Sequence, residues 1–184
     1  VIILKDELVV QSLGFKKYLP IGKIDIAIEF LEHWDVDEIA IIDISATKNN
    51  RSINYENINK ASKKCFVPIC AGGGIKNLND ARAVLANGAD KVIISSEVFK
   101  RRVFISECAK TFGSQSVVVC LDVKKIDNKY RCYTHNGTLD THLSPLEFIK
   151  IVESEGAGEI IVNSIDHDGM KMGFDIELIK SLQD

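Results

Sequence analysis

The sequence predicts an α/β fold. The expected form is a (β/α)8 TIM barrel with a two-fold half-barrel repeat, six βα units present and strands seven and eight absent. Three observations lead there. Short runs rich in Val, Ile and Cys alternate with amphipathic stretches along the 184 residues. Those runs are apolar almost without a break, as parallel strands buried on both faces require. The chain also repeats itself. Laying Lys124 on Lys5 sets "CLDV" (Cys120 to Val123) over "VIIL" (Val1 to Leu4). "EIAIIDISATK" from Glu38 likewise resembles "EIIVNSIDHDGMK" from Glu159, and the two offsets, 119 and 121 residues, nearly agree. A four-unit half used twice gives eight units, the strand number of a barrel of typically about 250 residues. A six-stranded open, doubly wound sheet is the alternative.

The strand candidates in order are Val1–Leu4, Glu38–Asp43, Val67–Ala71, Lys91–Ser95, Val117–Val123 and Glu159–Asn163. Between the first two, "IDIAIEFLEHW" places Ile24, Ile26, Ala27, Phe30, Leu31 and Trp34 at helical spacing. "NLNDARAVLANG" begins near Asn77 or Asn79 as cap and stops at Gly88. "LSPLEFIKIVESEG" offers Ser144 as N-cap, Pro145 at the first helical position, Glu147 at the capping-box position and Gly156 as terminator. "FDIELIKSL" is the last helix. "KIDNKYRCYTHNGTLDTH", with Asn136-Gly137, reads as a β-hairpin in the loop after the fifth strand. No linker divides the chain, so residues 1–184 are expected to form a single domain, incomplete at the C-terminus and a few residues short at the N-terminus. Such a piece would expose the edges of its first and sixth strands.

Composition narrows the function. A net charge of −3 with interleaved acids and bases argues against a nucleic-acid surface. No apolar stretch reaches the roughly 18 residues of a membrane span. Five cysteines, an odd number with no CxxC pair, read as reduced thiols of a cytoplasmic protein.

Active groups of a barrel sit at the C-terminal ends of its strands. There the sequence offers Asp43, Gly72-Gly73-Gly74, Ser95-Ser96, Asp122 and the "SIDHDG" loop with Asp166 and Asp168. The glycines with Ser95 and Ser96 can cradle a phosphate, or simply form a tight βα turn. Asp122 closes an apolar run, so it is either a general acid or base with a raised pKa or a loop anchor; Lys124 and Lys125 next door could lower that pKa or bind an anion. Asp43 fits the anchor role equally well. Glu38, Lys91 and Glu159 begin the second, fourth and sixth strands. Alternate strands share a barrel layer, so these three can meet at the floor as a polar gate or as a salt-bridged plug. His33, His135, His142 and His167 show no metal-ligand spacing.

"CAGGGIKNLNDARAVLANGADKVIISS", "TFGSQSVVVCLDVKK", "GAGEIIVNSIDHDGMKMGFDIELIK" and "IIDISATK" together resemble the cyclase subunit of imidazole glycerol phosphate synthase. The resemblance implies a (β/α)8 barrel of histidine biosynthesis, an ammonia-donating glutaminase partner bound at the N-terminal face, a substrate with two phosphates, and no metal or redox cofactor. It makes Asp122 the catalytic acid and places Gly73, Gly74, Ser95, Ser96 and Asp168 around phosphate and substrate. Glu38, Lys91 and Glu159 become the ammonia gate. Three positions depart from the family: its strand-one aspartate is Ile3, a following lysine is Gln11, and the "KDG" turn reads "KDE" with Glu7. A similar strand-one change marks the glycosyl-amidation-associated branch, thought to serve amidination of surface-polysaccharide sugars, and "DISATK" and "YTHNGT" resemble that branch. The expected function is therefore ammonia transfer for sugar amidination. Genuine imidazole glycerol phosphate formation and a non-catalytic ammonia conduit are the alternatives.

Overall fold

A computed structural model describes residues 1–183. Six parallel strands form its centre: β1 (Ile2–Lys5), β4 (Ile39–Asp43), β5 (Ile69–Gly72), β6 (Lys91–Ile94), β7 (Val117–Ile126) and β10 (Glu159–Ser164), each pairing with the next. Four antiparallel strands extend the sheet: β2 (Leu8–Leu13), β3 (Lys17–Gly22), β8 (Lys129–Thr134) and β9 (Leu139–Asp140). The helices are α1 (Ile24–Glu32), α2 (Tyr55–Lys64), α3 (Leu78–Ala86), α4 (Ser96–Lys100), α5 (Val103–Phe112), α6 (Pro145–Ser154) and α7 (Ile176–Ser181). None is long and apolar enough to cross a membrane.

Side-chain parity separates two cores. One large cluster joins strand residues such as Ile41, Val92, Val119 and Leu121 to helical Ile28, Ile58, Phe104 and Phe148. The other is small and holds only strand residues: Ala40, Cys70, Ile93, Val118 and Cys120, with Ile42 and Ile161 against them. Helices pack the outer face, while the inner face buries only strand side chains against one another. A doubly wound sheet would need helices on both faces. The architecture is thus the parallel-rich α/β sheet of a TIM-type barrel, open among the described residues, where the only strand paired with β10 is β7.

The internal repeat is visible in the register. Ile3 pairs with Ile42, and their counterparts Asp122 and Asn163 pair with each other. Each half then continues into an antiparallel hairpin, β1–β2 in one and β7–β8 in the other.

Several expectations need correction. The first hairpin was not legible, and it changes the prediction for the sheet edges. Ile3 and Leu4 pair with β4 on one side and with Val10 and Val9 of β2 on the other, so β2 covers most of the first strand's edge. Its tight turn uses Asp6 and Glu7 at φ 48° and 69°, left-handed conformations usually given to Asn or Gly. The hairpin after the fifth strand turns at Asp127-Asn128 (φ 47° and 62°), not at Asn136-Gly137. The latter pair belongs to a second turn, between β8 and β9, and β7 runs on to Ile126. Helices α2, α4 and α5 were also not anticipated. Caps elsewhere follow the sequence: Asn77 accepts from Asn79 and Asp80 backbone N–H groups, and Ser144 accepts from that of Glu147. The apolar stripe of α1 is only partly used. Ile24 and Ile28 are buried, whereas Ile26, Phe30 and Trp34 are exposed.

Strands β5 and β6 approach so closely that Gly72 is a steric necessity. A Cβ there would lie 2.2 Å from the Ile93 carbonyl oxygen, whereas one on Gly22 would meet nothing within 4 Å. Gly72→Ala should therefore lower unfolding free energy by at least about 2 kcal/mol in urea titrations, against about 0.5 kcal/mol or less for Gly22→Ala. Equal effects would show that the strands can separate to admit a methyl group.

Candidate functional site

The C-terminal ends of the parallel strands surround a cavity of about 120 Å³. Ile3, Ile42, Asp43, Gly72, Gly73, Gly74, Ser95, Ser96, Cys120, Asp122 and Asn163 all line it, so most of the anticipated site is brought together. Lys76, Lys100, Phe15, Tyr18 and Asn136 also line it and were not anticipated. Asn163 was recoverable, because the repeat makes it the pairing mate of Asp122. Tyr18 was not, because its strand was not recognised.

Asp122 is the chemically distinctive group. Burial pushes its carboxyl pKa up to about 7; a weak 3.5 Å hydrogen bond from Asn163 Nδ2 opposes the rise, and the charge of Asp168 adds to it. The neighbouring lysines do not counter this. Lys124 lies over the Tyr133 ring, while Lys125 pairs with Glu177 and lies over Tyr130. Ile3 lines the same cavity, so the first half-barrel offers hydrocarbon where the second offers an acid.

Asp43 is an anchor. Its Oδ1 accepts the Ser45 and Ala46 backbone N–H groups at 3.0 and 3.1 Å, and its Oδ2 accepts Arg51 at 2.7 Å. Asp168 does not line the cavity. Its carboxylate accepts the Ser12 hydroxyl at 2.5 Å, and its backbone carbonyl accepts the Gly14 N–H at 2.8 Å, holding the β2–β3 hairpin over the site. From the other side, Asn136 Nδ2 donates to the Ile44 carbonyl at 3.1 Å. Gln11 is exposed on β2, and Glu7 accepts from Asn54 Nδ2 at 3.3 Å.

Around Gly74, sterics already demand glycine. Its φ is +67°, and a Cβ would lie 1.9 Å from the Arg51 carbonyl oxygen. The triple glycine is thus explained by packing, and it leaves bare backbone at the cavity wall. Beside it the Ser95 hydroxyl makes no capping bond to α4.

At the opposite end of the strands, Lys91 Nζ reaches Glu38 at 3.1 Å and Glu159 at 2.5 Å. The three meet as parity predicted, and the Glu159 hydrogen bond is the main reason the Lys91 pKa rises. Cys70 stands above them, its thiol pushed up to about 12 by burial and then by Glu38. All five cysteines are free. His33 caps α1, and His167 sits 3.7 Å from Asp175 on the strand-six loop.

The Asp122 shift predicts a pH dependence. Its ordinary value is 3.8, and folding raises it to about 7. Between those values the unfolded chain has released the proton that the folded chain still holds. This group therefore costs stability as pH rises, at no more than about 1.4 kcal/mol per pH unit, and the loss levels off above about 7. Asp122→Asn should gain on wild type from pH 5 to pH 8 in urea unfolding; stability curves that stay parallel would refute the raised value.

Comparison with known proteins identifies the family. Residues 2–184 match the family described as "Histidine biosynthesis protein". A putative imidazole glycerol phosphate synthase subunit hisF2 of Vibrio vulnificus (strain YJ016) is 45% identical over 98% of this chain and 66% of its own length. A putative HisF subunit of Leptospira borgpetersenii is 40% identical over the whole chain and 73% of its own. The imidazole glycerol phosphate synthase subunit HisF of Clostridium botulinum (strain Langeland / NCTC 10281 / Type F) is 40% identical over 96% and 70% respectively. The chain thus spans about two thirds to three quarters of the length of these relatives. It belongs to the histidine biosynthesis protein family and, within it, to the HisF-like group of imidazole glycerol phosphate synthase subunits.

Proposed function

We propose that this chain is the ammonia-using part of a cyclase-subunit-like protein whose reaction has diverged from imidazole formation to a nitrogen transfer, the amidination of a surface-polysaccharide sugar. The observation that carries the reading is that Ile3 and Asp122 line one cavity. A two-carboxyl acid–base mechanism needs a proton carrier at both places, and isoleucine has none. Asp122 alone, titrating near neutrality, suits one proton transfer per nitrogen added. A phosphorylated or sugar substrate would rest with its anion at Gly73, Gly74, Ser95 and Ser96. Asp168 serves it indirectly, by holding the hairpin above. Vibrio vulnificus (strain YJ016) carries relatives named hisF2 and hisF3, and such numbered copies leave room for divergence of one of them. The relatives are named subunits, in keeping with a partner. We assign that partner as a glutaminase at the barrel floor, its ammonia entering between Glu38, Lys91 and Glu159.

Genuine imidazole glycerol phosphate synthesis remains the second reading, favoured by the Asp122–Asn163 pair. The full-length protein given the histidine-pathway ribonucleotide and ammonium salt decides between them. No turnover is expected from wild type, and measurable turnover from Ile3→Asp; wild-type turnover would overturn the diverged reading. At the floor, Lys91→Ala should cut glutamine-dependent nitrogen transfer several-fold while leaving reactions with added ammonium unchanged. Equal losses in both assays would make Lys91 purely structural.

A further inference from the structure

We propose that Lys76 and Lys100 form a two-cation clamp for a phosphate monoester dianion at the Gly74, Ser95 and Ser96 end of the cavity. The substrate then enters phosphate-first, with its uncharged remainder against Ile3, Phe15 and Tyr18. The inference rests on the phosphate-site reading above and deepens it.

The cavity is polarised. Lys76, Lys100 and the two serines line one part of the wall; Val1, Ile3, Phe15, Tyr18 and Ile42 line another with uncharged side chains, where the charged neighbours are Asp122 and, over the Tyr18 ring, Lys5. Each lysine follows one arm of the cradle. Lys76 lies two residues beyond Gly74, and its backbone is fixed because its N–H donates to Asp80 at 3.0 Å. Lys100 lies four residues beyond Ser96 on α4, so the two share a helix face.

Both ammonium groups have capacity to spare. Lys76 Nζ donates to the Asn50 side-chain oxygen, a neutral partner, and an ammonium carries three donors. Lys100 is 58% exposed and 3.9 Å from Glu97, beyond hydrogen-bond range. Glu97 also lines the cavity and offsets part of the charge, which a dianion would outbid for Lys100. Other nearby cations are committed: Arg51 to Asp43, Lys125 to Glu177, and Lys5 over the Tyr18 ring at 4.4 Å. The clamp therefore selects charge and size at one end and tolerates an uncharged carbon skeleton at the other.

Titration calorimetry of the protein with inorganic phosphate, glycerol phosphate and glycerol tests this. Both phosphates should bind and glycerol should not. Lys76→Gln and Lys100→Gln should each weaken phosphate about five- to tenfold. Glycerol phosphate binding should tighten from pH 5.5 to 7.5 as its second proton leaves near pH 6, while sulfate, dianionic throughout, should not tighten over that range, because the ionising Asp122 in the same cavity only repels it. Asn50→Ala, which frees Lys76, should leave affinity equal or higher; a loss matching that of Lys76→Gln would mean Lys76 only holds the loop. Phosphate binding untouched by either lysine variant overturns the clamp and leaves a site of serines and backbone. Wild type that binds no phosphate overturns clamp and phosphate site together. A lysine-dependent phosphate site in a protein inert towards ammonia would sink the nitrogen-transfer reading and leave the clamp standing.

Discussion

Parallel pairing holds β7 between β6 on one edge and β10 on the other, and this register sets the direction of Val118, Cys120 and Asp122. Everything chemical in the molecule depends on it. Period-two alternation sends Val117, Val119 and Leu121 outward to the helices, where all three are fully buried, and the intervening residues inward. A slip of one residue would put Asp122 under α6 and expose Leu121 to the cavity, at a cost no helix packing could offset. The same parity, carried across the sheet, brings Glu38, Lys91 and Glu159 together at the floor. One constraint thus produces a paired charge cluster below and a lone acid above, separated by a layer of Ala40, Cys70, Ile93, Val118 and Cys120.

The half-barrel repeat gives the lone acid its meaning. Ile3 against Ile42 and Asp122 against Asn163 are the same pair of backbone positions, filled with hydrocarbon in one half and polar groups in the other. The first pair adds apolar surface to the cavity that Asp122 also lines. Burial holds Asp122 in a state where a proton can be held or released near neutral pH.

What the sequence made legible followed from regular patterning. Unbroken β-branched runs marked the six parallel strands, and the internal offsets marked their equivalence. The floor cluster could be placed by counting alone. Asp122 was visible because a carboxylate at the end of an apolar run is costly without a purpose. The β1–β2 hairpin escaped because its turn uses Asp6 and Glu7 in left-handed backbone, without the glycine that usually marks such a turn. Helix α2 escaped because "YENINKASKK" is polar on most faces and buries only Asn57, Ile58 and Ala61. Lys76 and Lys100 look like surface lysines in sequence, and only the fold brings the β5–α3 loop and helix α4 to one cavity.

The glycines at Gly72 and Gly74 show why packing and function need not compete for the same residues. Each is required sterically, one by the carbonyl of Ile93 and the other by that of Arg51. Arg51 in turn holds Asp43, whose carboxylate fixes the loop after β4. Close strand packing therefore strips side chains from the part of the wall where an anion would approach backbone most closely, and it does so without any ligand present. Polar groups with strong charges then need only be placed around the opening. Asp43 cannot be one of them, since Arg51 already satisfies it. The acid left to face the cavity without a cation is Asp122, so the same network that silences one strand-end carboxylate leaves the other available for chemistry.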